Sequence, residues 1–174
     1  WADMDELSSA VPSLAKVYPN GAGDVNAFAE AGGMPFVIRE LIGAGLAHAD
    51  IKTVYGASLL EGCRQPVEVD GALEWQAAPA ESRDPIILRG AADPFAADGG
   101  LRLLQGNLGR ATIKVSAVAR ENWFIEAPAR VFDDQNDVLT AFKAGELERD
   151  CVVVVRFQGP AANGMPELHK LTPA

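Results

Sequence analysis

Four consecutive valines, Val152–Val155, follow Cys151 and run into Arg156, Phe157 and Gln158 before Gly159-Pro160 stops them. An unbroken β-branched run reads as a strand buried on both faces, not as half-exposed alternation. The Gly-Pro step cannot continue a ladder, so the strand must empty into the loop Ala161–Met165. Pro166 suits the first position of a helix, Glu167 suits its N-terminus and Lys170 its far end. Strand, glycine-containing loop and helix start make a place where backbone N–H groups converge on an anion. Glu167 and His169 lie beside it. The same string also reads as an ordinary strand–loop–helix connection, and composition alone favours that reading.

The preceding chain changes character once. Asp3, Asp5 and Glu6 open a segment with Leu7, Val11 and Leu14 near helical spacing, and Pro12 divides it into a short helix and a second turn. Tyr18–Gly23 is a turn, after which Asp24 can cap a helix running through Phe28 to Ala31. Gly32-Gly33 breaks it, and Met34, Ile38, Leu41, Ile42 and Gly45 trace one face of the next helix. His48 reads as a surface residue near a helix end. Asp50–Gly56 looks extended, and Ala57–Cys63 forms a further short helix. Val67–Val69 and Leu73–Trp75 form a small extended pair about Asp70-Gly71, with Trp75 a packing residue over the linker.

Pro66, Pro79 and Pro85 mark a join near Ser82–Pro85, which places residues 1–82 in one domain and 83–174 in another. Beyond it, strands are expected at Pro85–Leu88, Leu101–Leu104, Ala111–Val118, Trp123–Ala127 and Ala129–Phe132. The cluster Asp133–Asp137 then caps a helix carrying Val138, Leu139 and Phe142, which Gly145 ends. The hydrophobic period thus predicts residues 1–62 mostly helical and 85–160 mostly strand.

Several function classes are excluded. A formal net charge of −9 leaves no basic surplus to neutralise phosphates of a nucleic acid. No stretch approaches the roughly 20 apolar residues of a membrane helix. Cys63 and Cys151 lie far apart without CxxC spacing, so neither a disulfide nor a zinc site is expected and reduced cytoplasmic thiols are the default. No Ser–His–Asp set or P-loop is present. A first residue, Trp1, other than Met suggests a fragment or a processed piece.

The remaining candidates are anion-binding groups. Gly106-Asn107-Leu108-Gly109-Arg110 offers exposed N–H groups and a guanidinium that can hold a carboxylate or phosphate, though a plain hairpin is the simpler reading. Arg156, at the end of a buried run, needs a partner, which is either structural, such as Asp150 or Glu167, or a substrate anion. Glu167 and His169 are two apart and point to different faces of a helix, so they cannot form an i, i+4 metal pair. The residues alone define an anion-binding α/β domain.

The literal strings go further. RFQGPAANGMPELHKLTP closely resembles the corresponding stretch of the phosphogluconate branch of the dihydroxy-acid/phosphogluconate dehydratase family. VYPNGAGDVNAFAEAGGMPFVIRELIGAGLAH, GGLRLLQGNLGRATIKVSAV and IEAPARVFDDQNDVLTAFKAGELERD resemble further segments, so the likeness covers nearly the whole chain. Gly109-Arg110 and Gln158-Gly159-Pro160 are similar to the phosphogluconate branch in particular. Relatives that act on dihydroxy acids carry an acidic residue where Gln158 stands.

The resemblance implies an α/β fold: the helical end of an N-terminal α/β domain, then part of a β-rich, swivelling β/β/α barrel-like domain. It implies dehydration of 6-phosphogluconate to 2-dehydro-3-deoxy-6-phosphogluconate in the Entner–Doudoroff route, in the cytoplasm, by a homodimer with no nucleic-acid or membrane partner. It implies a 4Fe–4S iron–sulfur cluster whose ligands lie outside this chain, neither Cys63 nor Cys151 matching them, and no catalytic residue within the chain. Glu167 matches a glutamate that completes a magnesium site in some relatives. Arg110, Arg156, Asn163 and His169 are the substrate-binding candidates for a small sugar-acid phosphate. A related sugar-acid or dihydroxy-acid dehydratase, and a non-catalytic binding domain for sugar-acid phosphates, are the alternatives.

Overall fold

Two of the α-helix starts in this chain are set by side chains that satisfy orphan N–H groups. In the computed structural model, which describes residues 1–116, 118–159, 161 and 171, Asp24 Oδ1 accepts from Asn26 N at 3.0 Å and Ala27 N at 2.9 Å. That cap starts α2 (Val25–Ala31), as the sequence predicts. Gly32 then takes φ 140°, a conformation side chains resist, and a Cβ there would meet Phe36 Cβ at 3.0 Å. The chain turns at once into α3 (Gly33–Gly43). The face of α3 differs from the expected one: Met34 is exposed, and Phe36 enters the core at 2% exposure.

Phe36 packs with Ala31 and the fully buried Leu88, with Ala15, Phe28 and Val37 at the margin. Leu88 does not arrive on a strand. Asp84 Oδ1 accepts from Ile86 N at 2.9 Å, and Asp84 O accepts from both Ile87 N and Leu88 N, so the expected strand Pro85–Leu88 is a turn. Only Leu88 continues into a bridge, with Ala15. A second bridge joins Ser13 to Ala96, so the chain after Pro12 is extended and the expected second helical turn is absent.

The first helix, α1 (Ala2–Ala10), docks through polar side chains. Asp5 Oδ1 accepts from Leu103 N at 2.8 Å, and Ser8 Oγ accepts from Leu101 N at 2.9 Å. These are the outward N–H groups of strand β3 (Leu101–Gly106), and one helix face covers them at i, i+3 spacing.

The extended pair about Asp70-Gly71 is present as the antiparallel hairpin β1 (Arg64–Val69) and β2 (Ala72–Ala77). Asp70 (φ 49°) and Gly71 (φ 79°) give the two positive φ values of a type I′ turn. Trp75 lies on β2 opposite Pro66, still 45% exposed. A second antiparallel hairpin pairs β3 (Leu101–Gly106) with β4 (Gly109–Lys114). Asp50–Gly56 is closed into a tight turn by a Thr53–Gly56 bridge, and Leu59–Gly62 is one 3₁₀ turn.

Residues 1–119 and 120–174 are two compact units. In the second, β5 (Ala129–Phe132) and β6 (Val152–Val155) pair in parallel, connected through α4 (Gln135–Lys143). Asp134 Oδ1 caps α4 at Asn136 N, 2.7 Å, and α4 buries Val138 and Ala141. The strand expected at Trp123–Ala127 is irregular backbone after a 3₁₀ turn at Arg120–Asn122, with Phe124 82% exposed. The valine run is a strand, but Val152 and Val153 are exposed, since among the described residues its sheet has two strands. The fold is mixed α/β, and residues 85–160 hold more irregular backbone than strand.

Two outcomes follow for chemical denaturation. Leu88→Ala should destabilise by about 2–5 kcal/mol, whereas Ile86→Ala, two residues away and 78% exposed, should cost less than about 0.5 kcal/mol. Equal effects would place the core elsewhere. Asp24→Ala should cost about 1 kcal/mol and Asp24→Ser much less, because serine restores the cap.

Candidate functional site

Arg110 sits on β4 directly after the hairpin tip, opposite Gln105, with Gly106 paired to Gly109. The loop that the sequence left open between anion cradle and hairpin is therefore a two-residue hairpin turn, Asn107-Leu108. The guanidinium is nonetheless available. Arg39, Arg89 and Arg102 of the same unit pair with Glu40, Asp93 and Asp98, and Arg64 and Arg83 donate to the carbonyls of Trp75 and Glu30. Arg110 makes no ion pair or side-chain hydrogen bond among the described residues.

Two cavities flank Arg110. One, of about 250 Å³, is lined by Trp1, Leu103, Arg110 and Ala111. The other, of about 260 Å³, is formed by the hairpin itself from Leu104 to Ala111, with the amides of Gln105 and Asn107 in its wall. A guanidinium without an acid partner among the described residues, beside one cavity that Trp1 lines and another that Gln105 and Asn107 line, can hold a planar or tetrahedral oxyanion. Trp1 is the residue of this group that sequence reasoning missed. Its contribution depends on α1 lying along β3, which hydropathy does not reveal.

Arg156, in the second unit, has the structural partner that its position demanded, but it is Asp133 and not Asp150. Its Nε donates to Asp133 Oδ1 at 2.7 Å, and a second nitrogen lies 2.6 Å from the same oxygen. Both side chains are more than half exposed, so the pair is worth at most about 1 kcal/mol and a substrate anion can compete for the arginine. The guanidinium also lies 5.1 Å from the Phe157 ring centroid. Asn163, Glu167 and His169 lie outside the described residues.

At the start of β5 and β6 the second unit has a cavity of about 360 Å³ lined by Pro128, Arg130, Glu146, Arg149, Asp150 and Cys151, among others. Arg130 is paired to Glu146 at 2.9 Å. Positive and negative groups balance there, which gives the cavity no preference for an anion.

The thiols do not fit an iron–sulfur cluster. Cys63 is buried, its Sγ directed at Leu59 O. Burial pushes its thiol up, against the opposing pull of the Arg39 charge. Cys151 belongs to the other unit. Among the described residues no group of three or more His, Cys, Asp or Glu side chains is placed to hold a metal ion, and no helix is long and apolar enough to cross a membrane.

Comparison with known proteins gives the chain a family. Residues 1–62 match the model of the dihydroxy-acid/6-phosphogluconate dehydratase N-terminal domain, and residues 86–174 match that of the C-terminal domain. The phosphogluconate dehydratase of Pseudomonas aeruginosa is 59% identical over 99% of this chain and 28% of its own length. The phosphogluconate dehydratase of Zymomonas mobilis is 57% identical over 100% of the chain and 29% of its own length. That of Escherichia coli is 52% identical over 99% and 29%. The chain thus spans less than a third of the length of these relatives. With matches to both halves of the family at this level of identity, the chain belongs to the dihydroxy-acid/6-phosphogluconate dehydratase family.

Proposed function

We propose that the protein carrying this chain dehydrates 6-phosphogluconate to 2-dehydro-3-deoxy-6-phosphogluconate, in the Entner–Doudoroff route. The observation that carries this reading is the 52–59% identity over essentially the whole chain to proteins named phosphogluconate dehydratase. The reaction removes a proton from the carbon beside the carboxylate and a hydroxyl from the next. The substrate presents a carboxylate, a phosphate and several hydroxyls, and the free guanidinium of Arg110 between two cavities suits one of those acidic ends.

Within this reading, Arg110, Arg156, Asn163 and His169 bind substrate, and Glu167 serves a magnesium ion. None of the 174 residues is the catalytic acid or base. The iron–sulfur cluster is held by cysteines other than Cys63 and Cys151, in a cytoplasmic homodimer. The N-terminal domain reaches residue 82 and a swivelling β/β/α domain begins at 83. The gap between the two family matches, residues 63–85, supports a join there. Packing divides the chain later, after Ala119, because Arg83 to Lys114 folds back onto the first helices through Leu88, Ala96 and β3.

Turnover by the complete protein is the direct test. It should dehydrate 6-phosphogluconate in preference to a branched dihydroxy acid, and the opposite preference would move it to the other branch of the family. The isolated 174-residue chain should turn over neither.

Arg110→Leu in the complete protein should raise KM for 6-phosphogluconate about tenfold or more by removing a charge-assisted contact, with Arg110→Lys recovering part of the loss. An unchanged KM in Arg110→Leu would remove Arg110 from the substrate site. Glu167→Gln keeps shape and most hydrogen bonding while removing charge. Turnover should fall by orders of magnitude with the fold intact; near-normal turnover with slightly lower stability would instead mark Glu167 as serving a helix N-terminus.

A further inference from the structure

Within residues 1–119 lies a cavity of about 170 Å³ whose wall includes Ser13, Lys16, Asn20, Phe95, Asp98 and Ser116. About 10–15 Å³ of such space holds one water, so this cavity has room for a small organic molecule. Its walls are fixed by backbone. Ser13 N donates to Ala96 O at 3.0 Å and Phe95 N to Ser13 O at 2.9 Å. At Gly100, with φ 77°, a Cβ would fall 2.5 Å from Ser116 Cβ, so only glycine lets these two segments cross so closely.

The polar groups around it are unevenly satisfied. Asp98 is fully engaged, pairing with Arg102 at 2.7 Å and accepting from Gly100 N at 2.9 Å. Lys16 has no carboxylate partner among the described residues; its Nζ lies 5.1 Å from the Phe95 ring centroid, and the Arg89 guanidinium lies 4.5 Å from the same ring. Asn20 Oδ1 is buried and accepts no hydrogen bond. A buried carbonyl oxygen without a donor is costly. Rotation of the amide about χ2 toward the cavity would sacrifice no hydrogen bond at that oxygen and would meet any donor offered there. The hydroxyls of Ser13 and Ser116 can donate or accept as needed.

Lys16, without a carboxylate partner among the described residues, and Asn20, whose acceptor lacks a donor, line the same cavity, a pairing that suits a molecule carrying both a negative charge and a hydroxyl. We infer that this cavity is a binding site for a small hydroxylated anion, its acid group on Lys16 Nζ and a hydroxyl donating to Asn20 Oδ1. Phe95 supplies the apolar side and holds the ammonium in place. A hydroxylated carboxylate and a short phosphomonoester share this chemistry. The inference stands on Lys16, Asn20 and the cavity and does not require the dehydratase reading.

Calorimetric titration of the complete protein tests it, run in an Arg110→Leu, Arg156→Leu background so that the substrate contacts proposed above do not contribute, with gluconate and glycerol 3-phosphate as hydroxylated anions and acetate and sorbitol as controls lacking one feature each. At least one hydroxylated anion should bind more tightly than both controls, and the tighter of the two identifies the acid group preferred. Lys16→Gln and Asn20→Ala should each weaken that binding about tenfold or more, with turnover and melting temperature unchanged and Lys16→Arg largely restoring it. Binding that survives both substitutions would overturn the inference, as would no binding at millimolar concentration or equal binding of acetate or sorbitol. Should Lys16→Gln or Asn20→Ala lower the melting temperature, Ser13→Leu, which fills the cavity from another wall, must abolish the same binding; retention there overturns the inference too.

Discussion

Arg39 and Glu40 are neighbours on α3, and between them they hold the chain on both sides of Leu88. The Arg39 guanidinium donates to the carbonyls of Ala78, Pro79 and Ala80 and lies 5.0 Å from the Phe36 ring centroid. Glu40 accepts from Arg39 through one oxygen and from Ala91 N, at 3.1 Å, through the other. Three carbonyls in a loop with no strand to pair with would otherwise depend on water. The apolar core beneath is small, with Phe36 and Leu88 the largest fully buried side chains. Burial of that size does not by itself choose one path for a long irregular segment. A planar donor fork with a fixed geometry does, which is why the segment after β2 returns to the α2–α3 corner.

The same division of labour recurs at the other end of the unit. α1 buries no residue, and its Leu7 is 60% exposed. It is held instead by Asp5 and Ser8 on the edge of β3 and by Arg102 reaching Ser9. Those bonds use N–H groups that β4 does not, so helix and hairpin form one layered piece. Arg110 inherits its setting from this arrangement. Its strand is fixed by β3, β3 is fixed by α1, and the start of α1 supplies the indole of Trp1 to the adjoining cavity.

Features that depend on a few adjacent residues were legible in the sequence. Asp24 and Asp134 could be read as caps because a carboxylate before a helical run has one favourable use. Asp70-Gly71 could be read as a hairpin turn because few residue pairs tolerate two positive φ values. The misreadings share a cause. Pro85–Leu88 and Trp123–Ala127 are apolar and of strand length, but Asp84 captures the first within a turn, and Arg120–Asn122 form a 3₁₀ turn just before the second. A local turn bond, from the Asp84 side chain in the first case and from backbone (Trp123 N to Arg120 O, 3.1 Å) in the second, outweighed a pattern that needs a partner strand to be realised. Helical period points to Met34 where Phe36 holds the core position, because period fixes spacing but not phase, and the phase here is set by the sharp corner at Gly32.

The site followed the same logic from the opposite direction. Arg110 and Arg156 look alike in sequence, each a single cation at the end of an extended run. Their difference is one of neighbours: Asp133 lies within reach of Arg156 because β5 and β6 run parallel and end together, with Phe132 opposite Val155. No such register delivers a carboxylate to Arg110, whose cross-strand partner is the neutral Gln105. In a chain with 24 acidic residues against 15 Lys and Arg, a guanidinium left without an acid among the described residues is a property of placement, not of composition. That placement, beside two cavities, is what suits a hairpin arginine to the anion-binding role proposed for it.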